Sequence, residues 1–143
     1  MTLSEHSLTY ICGIDDDIVN SVENRLIGAN CGIVVSIDRY LYKAKDNNQR
    51  KKCLSNALSR VAKLLDRSDV ILVGNLEDAD IRLVDSYLGF YKQSQIFLDR
   101  DNEATEFGIC LGTSLYITQY PFKNLYNVVA KAQQNAKRKW KIC

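Results

Sequence analysis

Asp69–Leu98 reads DVILVGNLEDADIRLVDSYLGFYKQSQIFL, and the fold turns on how the middle of this stretch is read. Asp69–Val73 (DVILV) is apolar and β-branched apart from its first residue, the pattern of a buried strand. Gly74, Asn75, Leu76, Glu77, Asp78 and Ala79 have the composition of a turn. Asp80–Val84 (DIRLV) then alternates polar and apolar residues as a returning strand does. Together they predict a β-hairpin with an acidic tip. The same residues carry a second period: Ile81, Val84, Leu88 and Tyr91 recur at helical spacing, so a helix over 76–91 is the alternative. Ser86–Leu98 is expected to be helical under either reading.

Upstream, Leu8–Ile14 (LTYICGI) predicts a strand covered on both faces, and it stops at Asp15, Asp16 and Asp17. Ile18, Val22, Leu26 and Ala29 then share a helical face, with Asp16 or Asp17 as the cap and Gly28 or Gly32 as the stop. Ile33–Val35 is a short strand or the lead into a further helix, for which Ser36 is the cap. Apolar residues from Ile37 to Leu65 keep the helical period, and the polar stretch 46–49 divides them into two helices. Downstream, 99–105 is a charged loop, Phe107–Leu111 and Ser114–Ile117 form one strand or two, and Pro121 opens a final helix. The order strand, helix, helix, hairpin, helix, strand, helix predicts an α+β fold of ferredoxin-like type, an antiparallel sheet with helices packed on one face. Residues 1–7 read as a disordered polar tail holding the sole histidine, His6, and 8–143 as one domain.

The bulk properties agree with a single globular unit. The chain has 143 residues, 46% hydrophobic and 25% charged, with a net charge of +2. That charge is too small to imply nucleic acid or membrane as a partner. Two basic clusters, Arg50-Lys51-Lys52 and Lys137, Arg138, Lys139 and Lys141, suit solvated helix faces and ends; docking on RNA or protein is the alternative. The five cysteines include no CxxC pair, which excludes a zinc knuckle or a disulfide framework and fits a reducing compartment. No signal peptide is visible and no apolar run approaches the ~18 residues of a membrane span. A cytoplasmic location follows as an expectation.

Two acidic groups carry the candidate chemistry: Asp15, Asp16 and Asp17 where the first strand hands over to a helix, and Glu77 and Asp78 in the tip of the hairpin. On neighbouring strands they would converge, and a divalent cation would relieve their repulsion. Magnesium there would take two carboxylates and substrate phosphates among its ligands, with several waters. The helix start at Asp17, Ile18 and Val19 offers backbone donors to a triphosphate. Lys131 and Lys137 on the last helix would reach its phosphates. The bland reading stands beside this one: aspartates cap helices, and acidic turns are ordinary solvated loops.

Three stretches resemble the minimal CRISPR polymerases, single-domain relatives of the palm in the large subunit of type III CRISPR effectors and of GGDEF cyclases. They are Tyr10–Glu23 (YICGIDDDIVNSVE), Asp69–Ile81 (DVILVGNLEDADI) and Phe107–Lys139. The resemblance implies a metal-dependent nucleotidyltransferase that makes a cyclic di- or oligonucleotide from nucleoside triphosphates, ATP first among them, as a signal in antiphage defence. Asp15, Asp16, Glu77 and Asp78 would be its catalytic residues; Asp15 and Asp16, with Asp17 as the other choice, would hold Mg2+ or Mn2+ together with Asp78, and Gly74 and Asn75 would lie against the nucleotide. A homodimer and a downstream cyclic-nucleotide receptor are implied as partners. The departure lies in the hairpin, where Gly74-Asn75-Leu76-Glu77-Asp78 stands for Gly-Gly-Asp-Asp. A palm that has lost catalysis and senses a nucleotide is the alternative that this departure motivates.

Overall fold

The computed structural model describes residues 5–13, 15–29, 31–99, 114–119 and 124–142. In chain order the elements are β1 (Ser7–Gly13), α1 (Asp16–Leu26), β2 (Ile33–Ser36), α2 (Ile37–Leu41), α3 (Asn47–Leu65), β3 (Val70–Val73), α4 (Asp78–Leu88), β4 (Lys92–Asp99), β5 (Ser114–Gln119) and α5 (Leu125–Ile142). Among the described residues the strands form one five-stranded sheet in the order β2-β3-β1-β4-β5. All four pairings are parallel. The expected antiparallel sheet of ferredoxin-like type, with helices on one face, is therefore corrected to a doubly wound α/β fold.

The correction turns on the stretch from Asp69 to Leu98. Residues 80–84 are not a returning strand but the first turns of α4, so the hairpin does not exist and the helical alternative holds. Glu77 is the N-cap, and a reciprocal capping box joins it to Asp80. The Glu77 amide donates to Asp80 Oδ2 at 2.9 Å. Such a box satisfies two otherwise orphaned backbone donors, which a tight hairpin turn would not require. Ser86–Leu98, read as helix, instead ends α4, turns at Gly89, and becomes β4.

β4 was hidden by its polar residues. Gln93, Ser94 and Gln95 look like a solvated helix face, yet all three are buried. Each finds a partner inside the sheet layer: Gln93 Nε2 donates to the Leu88 carbonyl, Gln95 Nε2 to Cys12 Sγ at 3.2 Å, and Ser94 Oγ lies 3.4 Å from Thr9 Oγ1. A buried polar side chain is tolerated when so paired. β4 consequently runs beside β1 over its whole length, from Ser7–Lys92 to Gly13–Leu98.

Two cores sandwich the sheet. Ile18, Val19, Val22 and Leu26 of α1 and Leu125, Val129 and Ala132 of α5 pack on Ile11, Ile71, Val73, Ile96 and Leu98. Leu54, Leu58, Val61 and Leu65 of α3 and Val84 and Leu88 of α4 pack on Leu8, Val70 and Leu72 opposite. This alternation is what right-handed crossovers require, because β1→β2 and β3→β4 move in opposite directions across the sheet. The fully apolar runs of β1 and β3 follow from cover on both faces. β1 begins at Ser7, inside the segment read as a tail, and His6 Nδ1 lies 3.0 Å from the Leu65 carbonyl. The expected strand Phe107–Leu111 and the helix start at Pro121 lie outside the described residues.

Candidate functional site at the carboxyl edge

In a doubly wound parallel sheet, loops at the carboxyl ends of the strands are the only place where neighbouring crossovers part and leave a crevice. Here that edge collects Gly13 and the acidic turn after β1, Ser36 and α2 after β2, and Gly74 to Glu77 after β3.

Asp15 caps α1. Its Oδ1 accepts from the Asp17 amide at 2.9 Å, and its carbonyl accepts from the amides of Ile18 and Val19 at 3.1 and 3.2 Å. The donors that an anion would need at this helix start are thus taken by the protein's own carboxylate and carbonyl. The side chains of Ile18 and Val19 are buried in the core under α1, away from any ligand. Asp16 is held by Asn75, whose Nδ2 donates to Asp16 Oδ1 at 2.8 Å while its Oδ1 accepts from the Gly13 amide at 2.9 Å. One carboxamide therefore ties the end of β3 to the end of β1 and orients a carboxylate.

Gly74 sits at φ +146°, and a Cβ there would meet Ile37 Cβ at 2.8 Å. Its amide donates to the Ile11 carbonyl at 3.0 Å. The glycine is needed for close packing on α2. Leu76 turns inward and is buried, its amide donating to the Tyr10 hydroxyl at 3.0 Å. Arg50 of α3 reaches Asp80 with Nη2 to Oδ2 at 2.6 Å and Nε to Oδ1 and Oδ2 at 3.3 and 3.2 Å.

Of the residues named from sequence, the edge brings together Asp15, Asp16, Asp17, Gly74 and Asn75, with Glu77 as the cap of α4. Asp78 opens α4. Lys137 lies at the opposite edge, its Nζ 3.1 Å from Asp69 Oδ2, and Asp69 Oδ1 accepts from the Ser7 amide at 2.8 Å. Lys131 is exposed earlier on α5. No three Asp, Glu, His or Cys side chains converge to hold a metal among the described residues.

Sequence reasoning missed Asp38, Glu23, Arg50 and Asp80. Burial, and after it the negative charges of Asp16 and Glu23, push the Asp38 carboxyl above its ordinary value, with Arg50 pulling the other way. Asp38 becomes conspicuous only once β2 is known to run parallel to β1, which puts both strand ends at one edge. Asp80 had a local signal, since the spacing in Glu77-Asp78-Ala79-Asp80 is that of an acidic capping box.

The solved structures place this architecture. A gluconokinase from Sinorhizobium meliloti 1021 superposes with a TM-score of 0.56 at 12% identity, over 96% of this chain and 94% of that one. A hexameric APS kinase from Thiobacillus denitrificans superposes with a TM-score of 0.57 at 9% identity, over 94% of this chain and 30% of that one. The likeness is one of fold: a parallel sheet layered between helices, as in these two kinases. No protein-family model matches the sequence, and no curated protein matches it.

The resemblance to minimal CRISPR polymerases and GGDEF cyclases is corrected by this likeness and by the parallel sheet, and cyclic oligonucleotide synthesis falls with it. So does the degenerate palm sensor. A phosphate-gripping turn of the P-loop type reads G-x-x-x-x-G-K-S/T between first strand and helix. This chain reads Gly13-Ile-Asp15-Asp16-Asp17-Ile18-Val19-Asn20, with the first glycine kept and the lysine replaced by a buried valine. No helix among the described residues is long and apolar enough to cross a membrane.

Proposed function

We propose that this chain is a nucleotide-binding domain of P-loop kinase fold that takes its nucleotide only as a complex with magnesium or manganese. The observation that carries the reading is the acidic turn, Asp15-Asp16-Asp17, standing where kinases of this fold present phosphate donors. A free triphosphate arriving there meets carboxylates and a capped helix. Magnesium favours one or two carboxylates with several waters and phosphate oxygens, and seldom an all-protein cage. Asp16, already oriented by Asn75, and the exposed Asp17 supply that pair. When bound, the metal neutralises phosphate charge. Asp15 keeps the helix start in place, and Gly74 keeps the β3 turn close to α2. Phosphoryl transfer is not part of the reading, because Val19 stands where the phosphate-gripping lysine would be. A homodimer and a downstream receptor, which rested on the corrected resemblance, are not part of it either.

The test is calorimetric titration of the purified protein with each ribonucleoside triphosphate, with Mg2+, with Mn2+ and with EDTA. Saturable binding is expected only with metal present, weakened about tenfold or more by Asp16→Asn, the loss of one charge-assisted contact. Equal binding in EDTA, or none of the four nucleotides binding with either metal, overturns it.

A further inference from the structure

Beside the acidic turn lies a shallow cleft of about 370 Å³ that the nucleotide reading does not use. Asn20, Glu23 and Asn24 of α1 form one wall, and Ser36, Asp38, Arg39 and Tyr42 from the end of β2 and from α2 form the other. The volume is near the lower limit for small-molecule sites, so its occupant is small. We infer that this cleft is a binding site for a small organic ammonium, such as a diamine, held between the Glu23 and Asp38 carboxylates and the face of Tyr42.

Charge decides the ligand class. Glu23 is nine-tenths buried, with only 10% of its side chain exposed, and it pairs with Arg39 at 3.3 Å. That arginine is 72% exposed, so solvent weakens the pair and a ligand cation can compete with it for Glu23. Asp38 lies on the opposite wall, in the negative field of Asp16 and Glu23, and Arg50, the cation acting on it, is committed to Asp80. A cation entering the cleft relieves both carboxylates, whereas an anion would add to their repulsion. The carboxamide oxygens of Asn20 and Asn24 and the Ser36 hydroxyl are acceptors that satisfy further ammonium hydrogens. Tyr42 is 73% exposed, unusual for a large aromatic ring. Its face already takes an ammonium, for Lys43 Nζ stands 5.5 Å from the ring centroid. A ligand amine competing for that face would find a preformed quadrupole. Two of the seven lining residues are carboxylates and one, Arg39, is a cation, so the cleft carries a net negative charge, which separates it from a site for phosphate or carboxylate.

The experiment uses the intact chain with no nucleotide or divalent metal present, so its outcome is independent of the nucleotide reading. Putrescine (1,4-diaminobutane) and its isostere 1,4-butanediol are titrated in turn, followed by amide chemical shifts. Saturable shifts are expected for the diamine, centred on residues 20–24 and 36–42, and none for the diol. Asp38→Asn and Glu23→Gln should each weaken the diamine about tenfold, and Tyr42→Ala about threefold. Since Glu23→Gln also loses the contact to Arg39, Tyr42→Ala serves as the variant whose folding is not at stake. Asp66→Asn, an exposed acid at the far end of α3, should change nothing. Binding of the diol as tight as the diamine, an equal loss in Asp66→Asn, or diamine shifts that avoid the cleft would overturn the assignment.

Discussion

At the scale of single residues, the carboxyl edge separates groups that hold the fold from groups held against it. Asp38 belongs to the second kind. An acid whose folded-state pKa stands above its unfolded value destabilises the fold wherever both states are ionised. That penalty fades as the pH drops through the folded value towards the unfolded one. Asp38→Asn should therefore raise the melting temperature at neutral pH, and the gain should vanish in acid, where the wild-type carboxyl is itself protonated. Solvent screens a half-buried group, so the gain is about 0.5 kcal/mol, or roughly 1–2 °C. Thermal melts of both proteins from pH 7 down to the carboxylate range check this, and an equal difference at every pH would refute it. Gly74 is of the first kind. Gly74→Ala places a Cβ against Ile37 in a backbone conformation that L residues rarely adopt, and a loss of about 2 kcal/mol or more is expected in urea unfolding. The aspartates of the turn were legible in the sequence because caps have a composition. Asp38 was not, because its meaning comes from Asp16 and Glu23, distant in sequence.

At the scale of elements, β1, α1, β3 and α5 were legible because each has one strong period. The stretch after β3 was not, because two periods coexist in it and the polar residues of β4 mimic a solvent-facing helix. What decided the matter in the folded chain is partner supply: Cys12, Leu88 and Thr9 give Gln95, Gln93 and Ser94 their hydrogen bonds. That placement makes β4 an interior strand, flanked by β1 and β5. A proline cannot donate to a ladder and is excluded from interior strands. Ser94→Pro should accordingly cost about 3 kcal/mol or more, read as a lower midpoint in urea unfolding followed by circular dichroism. The conservative Ser94→Ala forgoes only a long 3.4 Å contact and should stay within about 1 kcal/mol of the wild type. Similar stability of the proline and alanine variants would mean that residue 94 is not in an interior strand.

At the scale of the whole molecule, parallel order depends on contacts that no local pattern announces, and the amino edge shows how they are fixed. Asp69, just before β3, takes the Ser7 amide and hydroxyl at 2.8 and 3.3 Å through Oδ1 and Lys137 of α5 through Oδ2. Its carbonyl also accepts from the Ile33 amide at 2.9 Å, at the start of β2. One residue thus joins two strand starts and the last helix, and sequence reading had sent Lys137 to the opposite edge, as a phosphate contact. Removing the carboxylate leaves a half-buried backbone donor unpaired, whereas removing the lysine leaves a carboxylate that still has the Ser7 donors. The two losses should therefore be unequal. Asp69→Ala is expected to cost about 2–3 kcal/mol. Lys137→Met, at a position with 37% of the side chain exposed, should cost under about 1 kcal/mol. In the double variant, the lysine's small contribution should disappear, because its partner is already gone. Unfolding free energies from urea titration of the four proteins close this cycle. Strict additivity would show that Lys137 acts elsewhere than on Asp69, and would reopen the question of which edge of the sheet it serves.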